Sequence, residues 1–269
     1  MTILAFTFVI EPTEVSESVA EHMVALVRSD GWDLPLRYFS SIARPGEKLV
    51  RRPGMLRPKV LASELAAALL AAQTSVAIMS TSARNDSTYA DCWFETDAEH
   101  WSSSRVHQLQ AYGQRPLGAE PTWNSWLEAV LAFADGARAS MGIVCVMDES
   151  STRELSVLMG TSPGDDAHPL YGQWSRLSRN RREVGERYVR FPRWGTLYSH
   201  RHVAAIGGVA KIREVVAPAV VRELSAGVYF QVTDSIASAR LPESVEKQRA
   251  FEALVEPWLP PPREEERYA

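Results

Sequence analysis

The stretch Arg193–Gln231, RWGTLYSHRHVAAIGGVAKIREVVAPAVVRELSAGVYFQ, decides the fold. Trp194, Thr196 and Tyr198 alternate with Gly195, Leu197 and Ser199, the two-residue period of a half-buried strand rich in aromatic and β-branched side chains. Ser199 suits a helix N-cap, and Val203, Ile206, Val209 and Ile212 recur along one helical stripe. Gly207-Gly208 interrupts that stripe, which predicts either two short helices or one helix with a break. Pro218 ends the element and pushes Ala217 towards extended geometry. Val220–Leu224 and Val228–Val232 then read as two strands, with Ser225-Ala226-Gly227 as a turn whose glycine is free to take positive φ.

Outward from this unit the chain keeps mixing both periods. Thr2–Ile10 reads as a strand, and Thr13 caps a helix over Glu14–Arg28 with Val15, Val19, Met23 (or His22), Leu26 and Val27 inward. Leu34–Ile42 is a strand weakened by Pro35, and Ala43–Lys59 is a loop rich in proline, glycine and basic residues. An alanine-leucine helix over Val60–Ala72 precedes a hairpin of Ser75–Ser82 and Tyr89–Thr96 around Arg84–Ser87. Asp97–Pro121 is irregular, with a short helix at Ser104–Tyr112. Thr122 caps a helix over Trp123–Met141 with Trp126, Val130, Phe133, Ala137 and Met141 on one face; Gly142 ends it, and Ile143–Met147 returns as a buried strand. Ser150–Met159 is helix-like, and Gly160–Phe191 is the least regular part. Pro242 opens a last helix with Val245, Phe251 (or Gln248), Leu254 and Val255 on its apolar side. The class this predicts is α+β: a mixed or antiparallel sheet with flanking helices and a C-terminal helix-plus-hairpin unit.

At 269 residues the chain is one large domain or two modest ones, since domains run about 100–200 residues. It reads as a single α+β domain over 1–269, with 1–121 and 122–262 as its two sub-halves and 263–269 as a flexible tail. An apolar fraction of 45% and a charged fraction of 23% exclude a disordered chain. The net charge of −4 speaks against a dedicated nucleic-acid binder. Cys92 and Cys145 stand far apart in apolar runs, as buried small hydrophobes in a reducing compartment do. Ile3–Ile10 is too short to span a membrane and lacks the pattern of a signal peptide, which predicts a cytoplasmic chain.

No stretch carries a catalytic motif. His200 and His202 are two residues apart at a helix start, a spacing that does not put both rings on one face, and this reads as a surface turn. Asp165, Asp166 and His168 could supply acid-base groups, but their Pro-Gly setting suits a solvated loop. The strongest charge cluster is Arg176, Arg179, Arg181, Arg182, Arg187, Arg190 and Arg193, interleaved with Tyr171, Trp174 and Tyr188. Guanidinium forks pair with carboxylate or phosphate and aromatic rings supply anchoring area, so Tyr171, Trp174, Arg179, Arg181, Arg182 and Tyr188 are the candidate partner interface. The alternative is a solvated face neutralised by Glu183 and Glu186. An acidic protein or an RNA could meet such a surface.

Trp194, Thr196 and Leu197, the helix with Ile206-Gly207-Gly208, the run Gly227–Gln231 and the late Leu254–Pro257 segment resemble the C-terminal half of the type VI immunity family. They are similar also to the Imm52-type family of polymorphic-toxin immunity proteins. A weaker likeness extends to Trp123–Ala139 and Gly142–Met147, and the first ninety residues agree only in the order of elements. The resemblance implies a protein that binds and silences a cognate antibacterial toxin in the cytoplasm, with no catalysis and no cofactor. It implies specificity on the loops at Ser82–Tyr89, Asp97–Pro121 and Gly160–Tyr188, and leaves a homodimer open. Two rival readings stand beside it: an enzyme with a site assembled from distant residues, and a nucleic-acid-binding regulator using the basic segments.

Overall fold

In the computed structural model, residues 2–10, 17–27, 38–42, 50–53, 75–81, 89–96, 109–116, 121–148 and 187–259 are described. They hold ten strands and five α-helices, and the chain divides into two units, residues 1–139 and 140–269. The readings over Val60–Ala72, Arg84–Ser87, Ser150–Met159 and the tail lie outside the described residues.

The first unit contains β1 (Thr2–Ile10), α1 (Glu17–Val27), β2 (Tyr38–Ile42), β3 (Val50–Pro53), β4 (Ser75–Thr81), β5 (Tyr89–Thr96), β6 (Leu109–Pro116) and α2 (Pro121–Gly136). Its strands lie in the order β3-β2-β4-β5-β6-β1, and each pairing is antiparallel. The hairpin β4–β5 agrees with the sequence reading. Two elements do not. The loop read over Ala43–Lys59 contains β3, which pairs Phe39 with Arg52 and Ser40 with Arg51. Pro53 is tolerated there because β3 ends the strand order, where a missing N–H breaks no inner ladder. Of the short helix read over Ser104–Tyr112, the described part, Leu109–Tyr112, belongs instead to β6, bonded to β1 on one side and β5 on the other. Non-local pairing overrides local propensity here.

Aromatic packing joins β1 to α2. Phe6 and Phe8 are buried and stack with centroids 5.2 Å apart; Phe6 lies 6.1 Å from Trp126 and 6.0 Å from Phe133. Trp126, Val130, Phe133 and Ala137 are buried, as their spacing predicts, but Met141 is not on the helix. The helix stops at Gly136, because Ala139 N–H reaches back to Ala134 O and Arg138 N–H to Asp135 O, with Arg138 at φ 51°. That pair of hydrogen bonds around a left-handed residue satisfies two of the last carbonyls and turns the chain out.

The second unit contains β7 (Met141–Asp148), β8 (Gly195–Ser199), α3 (His200–Ile206), α4 (Gly208–Val216), β9 (Val220–Leu224), β10 (Gly227–Gln231) and α5 (Pro242–Val255). The order β7-β8-β10-β9 is again antiparallel throughout. The predicted α+β class holds, with the helix-plus-hairpin unit in place. Strand β8 is more deeply set than its alternation suggests: Gly195 to Tyr198 are all buried, so both of its faces are covered. Trp194 donates from Nε1 to Thr233 Oγ1 at 2.8 Å, and Tyr229 Oη donates to Gln231 Oε1 at 3.2 Å. Gln231 Nε2 in turn bonds Thr233 O at 2.7 Å. Three of the residues that carry the family resemblance, Trp194, Tyr229 and Gln231, thus share a buried hydrogen-bond network with Thr233, which is a packing role.

The stripe resolves into two helices. Gly207, at φ 112°, is C-cap of α3 and N-cap of α4, a conformation open to glycine at little cost. Ala217 departs from expectation. It is left-handed (φ 47°, ψ 54°), not extended, because its N–H closes α4 on Arg213 O at 3.1 Å. An alanine there carries a penalty of about 1 kcal/mol. Ala217→Gly is expected to raise the melting temperature, by the gain left after glycine's larger unfolded-state entropy; calorimetry measures it.

Gly227 also differs in kind. It opens β10 without positive φ, and only Ser225 and Ala226 form the turn. In α5 the buried face is Ser244, Phe251 and Val255, while Val245 is 37% exposed, so the inward stripe begins one residue earlier than predicted. Cys145 is buried, as read; nothing is described of the Cys92 side chain.

Candidate functional site

Residues 188–191, on the approach to β8, have no regular structure, yet they are fastened at three points. Val189 N–H donates to Trp258 O at 2.9 Å, Arg190 N–H to the Met141 sulfur at 3.3 Å, and Tyr198 Oη to Arg190 O at 2.6 Å. Trp258 closes a 3₁₀ turn, Glu256–Trp258, that continues α5. The chain around Arg187 and Tyr188 is therefore held against the end of the last helix.

The other wall is the first turn of α3. Ser199 caps it, accepting from His202 N–H at 3.2 Å, and Ser199 Oγ lies 2.9 Å from His202 Nδ1. One hydroxyl thus satisfies an orphan backbone donor and fixes the imidazole. His202 is only 6% exposed and His200 is exposed, which corrects the reading of both as a surface turn. Ser199→Ala is expected to cost about 1–2 kcal/mol, since it removes the cap and a buried ring's partner together; urea unfolding would show a lower midpoint at unchanged slope.

These pieces enclose a pocket of about 380 Å³ lined by Arg187, Tyr188, Arg201, His202, Pro257 and Trp258. The Arg187 guanidinium sits 5.2 Å from the Tyr188 ring centroid, a cation–π contact. Among the described residues lining the pocket there are two guanidinium groups, one imidazole and two large aromatic rings, and no carboxylate. Such a lining suits an anionic group carried on an apolar or planar body.

The arginine cluster does not form one face where it is described. Arg187 is exposed, Arg190 is 5% exposed, and Arg193 lies 4.0 Å from Glu252 Oε1 in a partly exposed pair. Of the six candidate interface residues, Tyr188 lines the pocket; Tyr171, Trp174, Arg179, Arg181 and Arg182 lie outside the described residues. Asp165, Asp166 and His168 lie outside them too. Arg201, Pro257 and Trp258 escaped sequence reasoning as site residues, because nothing local signals that positions near 200 and 257 meet position 188. Among the described residues no group of three or more His, Cys, Asp or Glu is placed to hold a metal ion, and no helix is long and apolar enough to cross a membrane.

Fold and site together define an α+β protein with a basic, aromatic-walled pocket at the foot of its C-terminal helix. No family model matches the chain, and no curated protein matches it. Among solved structures it is similar to the T6SS protein PA0821 of Pseudomonas aeruginosa, with a TM-score of 0.59 and 14% identity over 95% of this chain and 73% of that one. At that identity the likeness is one of fold.

Proposed function

We propose that this chain is an immunity protein that binds a cognate antibacterial toxin stoichiometrically and silences it, without catalysis or a cofactor. The observation that carries the reading is the fold shared with a T6SS protein over 95% of the chain, which agrees with the resemblance of Trp194–Gln231 to the type VI immunity family. The state of the strand residues in that resemblance is consistent with it: Trp194, Thr196, Leu197 and Val228–Gln231 are buried in the sheet, and a binding protein needs a rigid scaffold more than a reactive group. The encounter is assigned to the cytoplasm, where the buried thiol of Cys145 stays reduced.

The test is a growth assay. A toxin-domain protein bound by this chain is expressed alone and then with increasing amounts of the chain. Growth is expected to recover once the chain reaches molar parity, as titration by a tight inhibitor requires. Recovery far below parity, or turnover of a substrate by the isolated chain, would sink the proposal in favour of an enzyme.

A further inference from the structure

We propose that the outer edge of β9 takes up an extended segment of a protein partner as an added antiparallel strand, with a basic residue of that segment opposite Glu223. The inference rests on the binding function proposed above. Hydrogen-bond parity fixes which groups face outward. Val232 N–H donates to Trp194 O at 3.0 Å and His200 N–H to Ala226 O at 3.4 Å, both in step with the β10–β8 register. Counting in twos between them, Val228 and Phe230 bond towards β8, and Gly227, Tyr229 and Gln231 bond towards β9. Those three face Leu224, Arg222 and Val220, whose backbones are thereby turned inward. Val221 and Glu223 present their N–H and C=O groups at the open edge. Among the described residues β9 ends the strand order, and no other segment bonds to the backbone of Val221 or Glu223.

The edge itself narrows the occupant. Strand β9 keeps unbroken register with β10 over its 5 residues, with no proline, glycine or bulge of the kind that closes an edge to pairing. Val221 is half-buried and Glu223 is exposed, so an incoming strand meets an apolar contact and a negative charge on one face. The complement is a segment with lysine or arginine opposite Glu223 and, two residues on, a β-branched residue opposite Val221. A charged edge also turns away strands that lack the counter-charge, which suits a partner-specific protein. A second copy fits less well. The self-pairing that uses both outer residues within β9 sets the two Arg222 side chains opposite each other and brings no cation to Glu223.

The probe is the capped peptide Thr-Lys-Thr-Val-Thr-Val-Thr, titrated at low salt into the isotopically labelled full chain, with amide hydrogen exchange read by NMR. In the free chain Arg222 is expected to exchange slowly, and Val221 and Glu223 fast. Bound peptide is expected to slow exchange at Val221 and Glu223 by at least about tenfold. N-methylation of the lysine and the first valine removes the facing donors and should abolish the effect. Val221→Pro deletes only an outward N–H, so it should lower the melting temperature little and prevent the peptide's protection of Glu223. Glu223→Lys should weaken binding about fivefold, and exchanging the peptide's lysine for glutamate should restore it. The assignment is overturned if the peptide leaves both amides exchanging as before, if the N-methylated peptide protects them equally, or if Glu223→Lys binds like the parent. Protection that grows with chain concentration alone gives the edge to a second copy, and overturns it too. The two levels fail separately. A chain that neutralises a toxin equally well after Val221→Pro loses the edge alone; a chain that takes up the peptide but silences no toxin loses the immunity reading alone.

Discussion

Phe251→Ala is expected to cost about 3–5 kcal/mol, a large share of the roughly 5–15 kcal/mol that keeps a domain folded. Phe251 is fully buried on α5, and its ring stands edge-on to two others. The Tyr198 centroid lies 5.8 Å away at 79°, and the Phe230 centroid 5.8 Å away at 84°. Those partners sit on β8 and β10, so this one ring seats the last helix on the paired strands. Truncation removes the buried area, leaves a cavity and forfeits both edge contacts, and the three losses act in the same direction. Urea unfolding followed by circular dichroism would show the midpoint falling sharply. Phe251→Leu, which keeps most of the volume, should lose much less.

Gly227→Ala is the second large effect, although it adds a single methyl group. A Cβ at Gly227 would lie 2.8 Å from the Tyr198 carbonyl carbon and 2.9 Å from Ser199 Cα, with the Tyr198 carbonyl oxygen closer still. These are backbone atoms of the paired strand, where Gly227 faces Ser199 and Val228 faces Tyr198, and they cannot rotate aside as a side chain would. The β8–β10 ladder must spread at its end, beside the Ser199 cap of α3. We expect a loss of about 3 kcal/mol or more, read as a lower urea midpoint, with faster amide exchange at Val228 and Tyr229 than in the rest of the sheet. A fall of a few tenths of a kcal/mol would mean that the strands separate here with little resistance, against the buried setting of both.

These two positions show what could be read from the chain and what could not. The helices α3 and α4, broken at Gly207, and the hairpin β9–β10 were legible because their signals are local: a stripe at helical spacing, a glycine pair, two β-rich runs with a short turn between them. Gly227 itself was legible as special but for the wrong reason; close approach of a paired backbone, not positive φ, excludes a side chain. Strands β3 and β6 were missed because VRRP and LQAYGQRP carry little strand character, and only their distant partners make them strands. The sequence-read extension of α2 to Met141 failed for a related reason: Met141 continues the apolar spacing, but the chain has already turned at Arg138 and Met141 opens β7. In the candidate site, Tyr188 stood out by its arginine neighbours. Arg201 and Trp258 did not, since the backbone bond from Val189 to Trp258 joins residues 69 positions apart and leaves no trace in either local sequence. His202 looked exposed because its burial depends on Ser199 and on elements that pack around α3 later in the chain.

The most direct measurement of the central claim is a pull-down of the tagged full-length chain from its native cytoplasm, with the eluted complex weighed intact. The account expects one co-purifying protein with a toxin domain, present in equal molar amount and lethal when expressed without this chain. Elution of the chain alone, or with RNA in place of a protein, would contradict it.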